Sequence, residues 1–237
     1  MDVELQEKSD WSKIRTTLNQ SYNYDREWEK AINLFNKRVL RKFFAPIQLI
    51  IDQKILKGEG FTIVTVQCAL IEMFAAFRVG EIFNHRKNSA SPLYEYKDSQ
   101  NLFTNFLHST SIFKDHFWQL GQNSKIELDK PFIASEFYKN VRCGLMHEAR
   151  TKRNWHITAA PLSVKTKIDT EFLKTESGKI KIYRTVLHYR LLDYLKQYSD
   201  NLREDTKNGK LLRKYFARKL DHLFDFNPDQ NFDWWIV

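Results

Sequence analysis

The chain has 237 residues, of which 42% are hydrophobic, 14% aromatic and 28% charged, with 38 Lys or Arg against 29 Asp or Glu. Its 18 Phe, 10 Tyr and 6 Trp exclude a disordered chain, and 7 Gly with 5 Pro exclude collagen-like, linker-rich and turn-rich β architectures. Two Cys cannot build a disulfide scaffold or a four-Cys zinc site.

In chain order, the first periodic segment runs from Tyr24 to Phe44. Trp28, Ile32, Phe35, Val39 and Phe43 recur at spacings of three and four and predict one apolar helix face, with Asp25 as cap. A second helix is expected from Ile47 to Leu56, stopped by Gly58 and Gly60. Thr62 to Phe83 is apolar almost all round and has the length of a bilayer span, but it holds Gln67, Glu72, Arg78 and Glu81. Charges at such positions make lipid exposure costly, so a buried central helix is predicted. Glu72 and Glu81 fall half a turn out of phase at about 100° per residue. If Arg78 and Glu81 mark the wet side, Glu72 points inward and needs a partner or a proton.

Residues 84–101 form a polar connection, and one or two helices are expected between Leu102 and Leu120. Pro131 is placed in the first turn of a helix reaching about His147, with Asp129 as cap. Beyond Arg153, the segments Trp155–Ile157, Ser163–Ile168 and Lys179–Tyr183 alternate or are rich in β-branched residues, and Glu176-Ser177-Gly178-Lys179 reads as a hairpin turn. A small antiparallel sheet inserted between helices is therefore expected. Helices resume over Val186–Leu202 and Lys210–Phe224. The tail from Phe226, with Phe232, Trp234 and Trp235, is too aromatic for water and is expected to pack on the body or on a second subunit.

Residues 138–220 hold 20 Lys or Arg against 8 Asp or Glu, so this part carries the whole positive excess; the rest holds 18 against 21. A one-sided field of this kind favours polyanions, nucleic acid first, with a merely solvated surface as the plainer reading. The N-terminus has no basic stretch followed by an apolar run, which predicts no secretory signal, and Cys68 and Cys143 read as reduced thiols. A cytoplasmic protein without a membrane span is expected. Nucleotide-loop, dinucleotide-binding, zinc-protease and hydrolase-elbow motifs are all missing from the sequence, and no metal or cofactor is expected.

One arrangement could carry chemistry. Arg142 and His147 are separated by four residues in Phe137-Tyr138-Lys139-Asn140-Val141-Arg142-Cys143-Gly144-Leu145-Met146-His147. The same Arg-to-His spacing class also fits Arg78 with His85 and Arg150 with His156, but only Arg142 and His147 close an amphipathic helix with an earlier apolar helix to pack against. In this context the chain resembles the HEPN superfamily, whose signature is an Arg and a His separated by four to six residues on a late helix of a bundle. Cys143 departs from the polar Asn, Asp or His that members often carry after the Arg.

The resemblance implies a single mainly α, HEPN-like domain over residues 1–237. Its bundle would cover about 24–150 and 186–224, its β insertion about 154–184 and its aromatic tail 225–237. It implies a metal-independent RNA endonuclease, with His147 as general acid and base and Arg142 holding the phosphorane. The chemistry asks for these types: imidazole titrates near neutrality, and guanidinium is always charged and bidentate. Glu72 would orient Arg142, and Lys139, Arg150, Lys152 and Arg153 would contact RNA. Positions 142 and 147 lie about 140° apart on an ideal helix, so a bent helix end or a second subunit is needed to converge them. A homodimer is what the family implies, along with a toxin or antiviral role and an antitoxin or regulatory partner. Plainer readings stand beside these: His147 as a helix C-cap, Arg142 as a structural partner of Glu72, Tyr138 as core. The rival function is a non-catalytic HEPN-like module that binds nucleotide, RNA or protein.

Overall fold

The computed structural model describes residues 2–18, 23–53, 57–118, 131–159 and 171–236. The described chain is mainly helical with small sheets. It forms two compact units: residues 1–42, 76–97 and 195–237 make the first, and 43–75 and 98–194 the second.

The first unit begins with α1, Val3–Leu18, for which the sequence pattern gave no expectation. Two of its five buried residues, Glu7 and Arg15, are charged, and that blurs the apolar period. Glu7 is paired with Arg38 and with Arg41 at 2.8 Å. Helix α2, Arg26–Val39, starts where expected: the Asp25 carboxylate accepts from the Glu27 and Trp28 N–H groups. It continues as a π-helical turn, Leu40–Phe44, and then α3, Ala45–Gln53, in the second unit. Phe35 of α2 packs against Phe77 at 4.6 Å and edge-on to Phe216 at 5.4 Å, between ring centroids. Tyr198 donates its hydroxyl to the Phe77 carbonyl at 3.1 Å.

These partners lie on α4, Glu59–Val79, α8, Arg184–Arg203, and α9, Lys207–Leu223. The aromatic tail packs on its own chain. Asp221, fully buried on α9, accepts from the indole N–H groups of Trp234 at 2.8 Å and Trp235 at 2.9 Å. It also accepts from Trp11 at 2.9 Å and from Arg15 at 2.7 and 3.0 Å.

Helix α4 is the one described helix long and apolar enough to cross a membrane, and 61% of its most apolar window is buried inside the fold. Ile63, Val64, Gln67, Cys68, Leu70, Ile71, Phe74 and Phe77 are all buried, as expected for a core helix. Glu81 is a correction. The helix stops at Val79, so Glu81 does not sit on its wet face; the carboxyl is half-buried and its pKa is raised by that burial. The strands β1, Ile82–Phe83, and β2, Glu95–Tyr96, follow and pair in parallel.

In the second unit, α5, Ser99–Ser109, is capped by Asp98. The strands β3, Phe117–Trp118, and β4, Phe132–Ile133, then pair in parallel. This pairing overturns the placement of Pro131 in a first helical turn. Phe132 and Ile133 are taken by the ladder, so α6, Ala134–Phe137, starts later, and its cap position Ile133 offers no side-chain acceptor. The proposed cap Asp129 lies outside the described residues.

Helix α6 runs through a π-helical turn, Tyr138–Arg142, into α7, Cys143–Glu148. The expected sheet exists as β5, Trp155–Thr158, β6, Leu173–Glu176, and β7, Lys179–Tyr183, in the order β5-β7-β6. The β6–β7 hairpin is antiparallel, and its turn residues Ser177 and Gly178 have φ of 50° and 73°, as a tight primed turn needs. Strand β5, however, is parallel to β7, so the sheet is mixed rather than antiparallel. Strand alternation encodes faces and not direction, so the third strand's sense was open. The strand expected over Ser163–Ile168 lies outside the described residues.

A chain of rings fills the second unit: Phe74, Tyr194, Phe106, Phe113, Phe117, Phe137 and Trp155 touch in succession.

Candidate functional site

The site is built on two helices of the second unit. Arg142 closes the π-helical turn, and its Nε and Nη2 donate to one oxygen of Glu72, Oε2, at 3.3 and 2.8 Å. Neither partner is entombed: the side chains are 19% and 21% exposed. Glu72 is thus at the edge of the core rather than deep within it. Burial works against the Arg142 charge, but the Glu72 carboxylate outweighs it and holds the guanidinium pKa above its ordinary value.

The guanidinium carbon also lies 5.4 Å from the centre of the Tyr138 ring. Tyr138 is buried, stacks edge-on with Phe103 and places its hydroxyl 3.3 Å from Ser99 Oγ. Burial pushes the phenol pKa up, so it stays protonated at neutral pH. Arg142 is therefore a held cation that stays partly exposed.

Cys68 sits one turn before Glu72 on α4, fully buried, with its thiol pushed up to about 12 by that burial. It is an inert apolar filler. Cys143 is partly exposed.

His147 lies in the last turn of α7 and is exposed, with no hydrogen bond or ion pair to a described residue. It does not cap the helix. That end is closed by Ala149, in the left-handed region at φ 52°, whose N–H donates to the Gly144 carbonyl. The chain then folds back so tightly that a Cβ on Gly144 would stand 2.5 Å from the Arg150 carbonyl. Between 142 and 147 the backbone is regular α-helix, so the two side chains leave it about 140° apart. The π turn ends at Arg142 and does not bring them together.

The expected RNA contacts divide. Lys139 is exposed and makes no ion pair with a described residue. Lys152 and Arg150 reach Glu148 at 2.5 and 3.4 Å, and Arg153 reaches Glu136 at 3.0 Å. Glu136 also accepts from Asn140 at 2.6 Å. For the other Arg-to-His matches, His85 accepts from its neighbour Arg86 at 3.2 Å, and His156 is exposed on β5. Ser99, Glu136 and Asn140 were missed by sequence reasoning. Only the Glu136–Asn140 spacing of four left a signal, because Ser99 arrives from a different helix.

The chain matches no family model, no curated protein and no solved structure.

Proposed function

We propose that the chain is a metal-independent RNA endonuclease of HEPN type that works as a homodimer in the cytoplasm. One observation carries this reading: a held but partly open Arg142 and an exposed His147 share one helix end. Leaving the helix about 140° apart, they call for a second copy to complete each site. In the reaction the 2′-oxygen of one nucleotide bonds to its own phosphorus, and the bond to the next 5′-oxygen breaks. His147 takes the 2′-hydroxyl proton, and the imidazole of the facing copy gives one to the leaving 5′-oxygen. Arg142 balances the charge growing on the non-bridging oxygens. The products are a 2′,3′-cyclic phosphate and a 5′-hydroxyl. By resemblance, such an activity belongs to a toxin or an antiviral defence factor restrained by an antitoxin or regulatory protein.

A second reading rests on Cys143 and on the two Arg142 donors engaged by Glu72: a HEPN-like module that binds RNA, nucleotide or protein without cutting. Purified protein incubated with total RNA in EDTA separates the two. Cyclic-phosphate ends that disappear with His147→Ala support the nuclease. Binding without new ends supports the module.

A further inference from the structure

The three-stranded sheet of the second unit has two unlike faces. Neighbours along a strand alternate, while residues paired across strands point to the same side. Trp155, Leu173 and Ile182 turn one face into the core, where all three are buried. On the other face the register sets His156 beside Lys181 and Lys181 beside Lys174. These three make one row across the sheet, with strands about 4.8 Å apart. The next pair on this face is Lys179 with Glu176.

Folding does not account for that row. Like charges placed directly opposite in a ladder are destabilising, and Lys174 faces Lys181. Glu176 is paired with Lys181. Lys174 and Lys179 are exposed and make no ion pair with a described residue.

The sheet adjoins the helix end that carries Arg142 and His147. The Lys152 N–H donates to the Asn140 carbonyl of the π turn at 2.9 Å, and Lys152 Cγ lies 3.4 Å from where a Cβ on Gly144 would stand. Two residues on, the Asn154 carbonyl accepts from the Ile180 N–H at 2.8 Å, and the Asn154 amide donates to the Gly178 carbonyl at 3.2 Å. This short segment ties the π turn to the start of β7, next to Lys179.

The charge and the lining choose the occupant. The paired outward positions hold no aliphatic side chain, so the face lacks the apolar centre of a protein interface and the wedge that enters lipid. Cations repeated at strand spacing suit a repeated anion, and a polynucleotide carries one phosphate per nucleotide.

We infer that the outward face of β5-β7-β6 binds the phosphate backbone of the RNA strand that occupies the Arg142 and His147 site. The inference rests on RNA being the substrate of that site, but holding a strand and cutting it are separate measurements.

Fluorescence anisotropy of labelled oligo(U) at rising salt tests it, with the full chain carrying His147→Ala so that RNA stays whole. Lys174→Gln with Lys179→Gln weakens binding roughly tenfold at about 0.1 M salt and flattens the slope of log K against log salt by about 1.4, or about 0.7 for each lost contact. Arginine at both positions retains affinity and slope. Lys13→Gln with Lys37→Gln, exposed on α1 and α2, makes the same change in net charge and leaves both unchanged. Circular dichroism checks the fold of each variant. An unchanged slope in the Lys174 and Lys179 variant refutes the surface, as does an equal loss in the Lys13 and Lys37 variant or a parent that binds no oligo(U). Loss of binding to phosphatidylserine vesicles with oligo(U) binding intact overturns it in favour of a membrane. Cyclic-phosphate ends made by the unsubstituted chain are scored separately, so either reading can fall without the other.

Discussion

Glu72 receives two hydrogen bonds from Arg142 through a single oxygen, across 70 residues of sequence. The second carboxylate oxygen takes no part in this grip, and the Arg142 side chain remains 19% exposed. An Arg fixed in this way is pre-ordered for a phosphate, because little rotamer freedom is left to lose.

Glu72→Gln tests whether the grip matters for chemistry or only for folding. The amide can still accept one bond, so the thermal midpoint falls by only a few degrees, equivalent to about 1–2 kcal/mol. If Arg142 acts on the phosphorane, kcat for RNA cleavage drops about 10- to 100-fold with KM little changed. Steady-state kinetics beside a melting curve separates the two effects. A lowered melting point with unchanged kcat would leave Glu72 a purely structural partner.

The π-helical turn makes a sharper prediction. It inserts one extra residue between Tyr138 and Arg142, and such bulges concentrate at functional sites. Deleting Lys139, an exposed member of that turn, lets the helix close regularly. Because the wide turn absorbs the extra residue, the helix after it keeps nearly its phase relative to Phe137. The Glu72–Arg142 pair and cleavage therefore survive the deletion, with unchanged helix content by circular dichroism; loss of cleavage in a folded variant would show that the wide turn itself sets the position of Arg142.

Acid should loosen the second unit. His188 is buried with an unpartnered Nδ1, and His116 likewise has an unpartnered Nδ1. Burial lowers both from 6.5 to about 4; the Arg190 charge adds to this for His116, while Asp52 opposes it for His188. Between those pH values the unfolded chain binds more protons than the folded one. The stabilisation is therefore complete above pH 6.5 and is lost as pH falls through about 4. It is on the order of 2–3 kcal/mol for His188 and less for the more open His116. Urea midpoints at pH 7.5, 6 and 5 should decline, and His188→Phe should flatten that decline.

Asp221 clasps both ends of the chain. With five donors on one buried carboxylate, Asp221→Ala strands Arg15 and three indole N–H groups. A loss of about 3–5 kcal/mol follows, read as a collapse of the thermal midpoint. Trp234→Phe keeps the ring and removes one donor, so it costs about 1–2 kcal/mol. If Asp221→Ala melted with the parent, the clasp would contribute nothing.

Periodicity located α2 and α8, because each buries an apolar face that repeats with the helix, and an almost unbroken apolar run located α4. The Ser177-Gly178 turn was equally local, since only residues tolerant of positive φ close such a hairpin. The aromatic tail announced its own burial, but not the carboxylate that receives it. Helix α1 stayed hidden because two of its inward residues are charged, and their partners Arg38 and Asp221 lie far along the chain. The direction of β5, the late start of α6 and the π turn ending at Arg142 likewise depend on partners from other segments.

Phase on a helix put Glu72 and Arg142 forward as a pair. Only the tertiary structure decided that their charges meet at a partly open edge, and that His147 stands free on a separate bearing. Side-chain period is written into neighbouring residues; the meeting of distant ones depends on how whole helices pack.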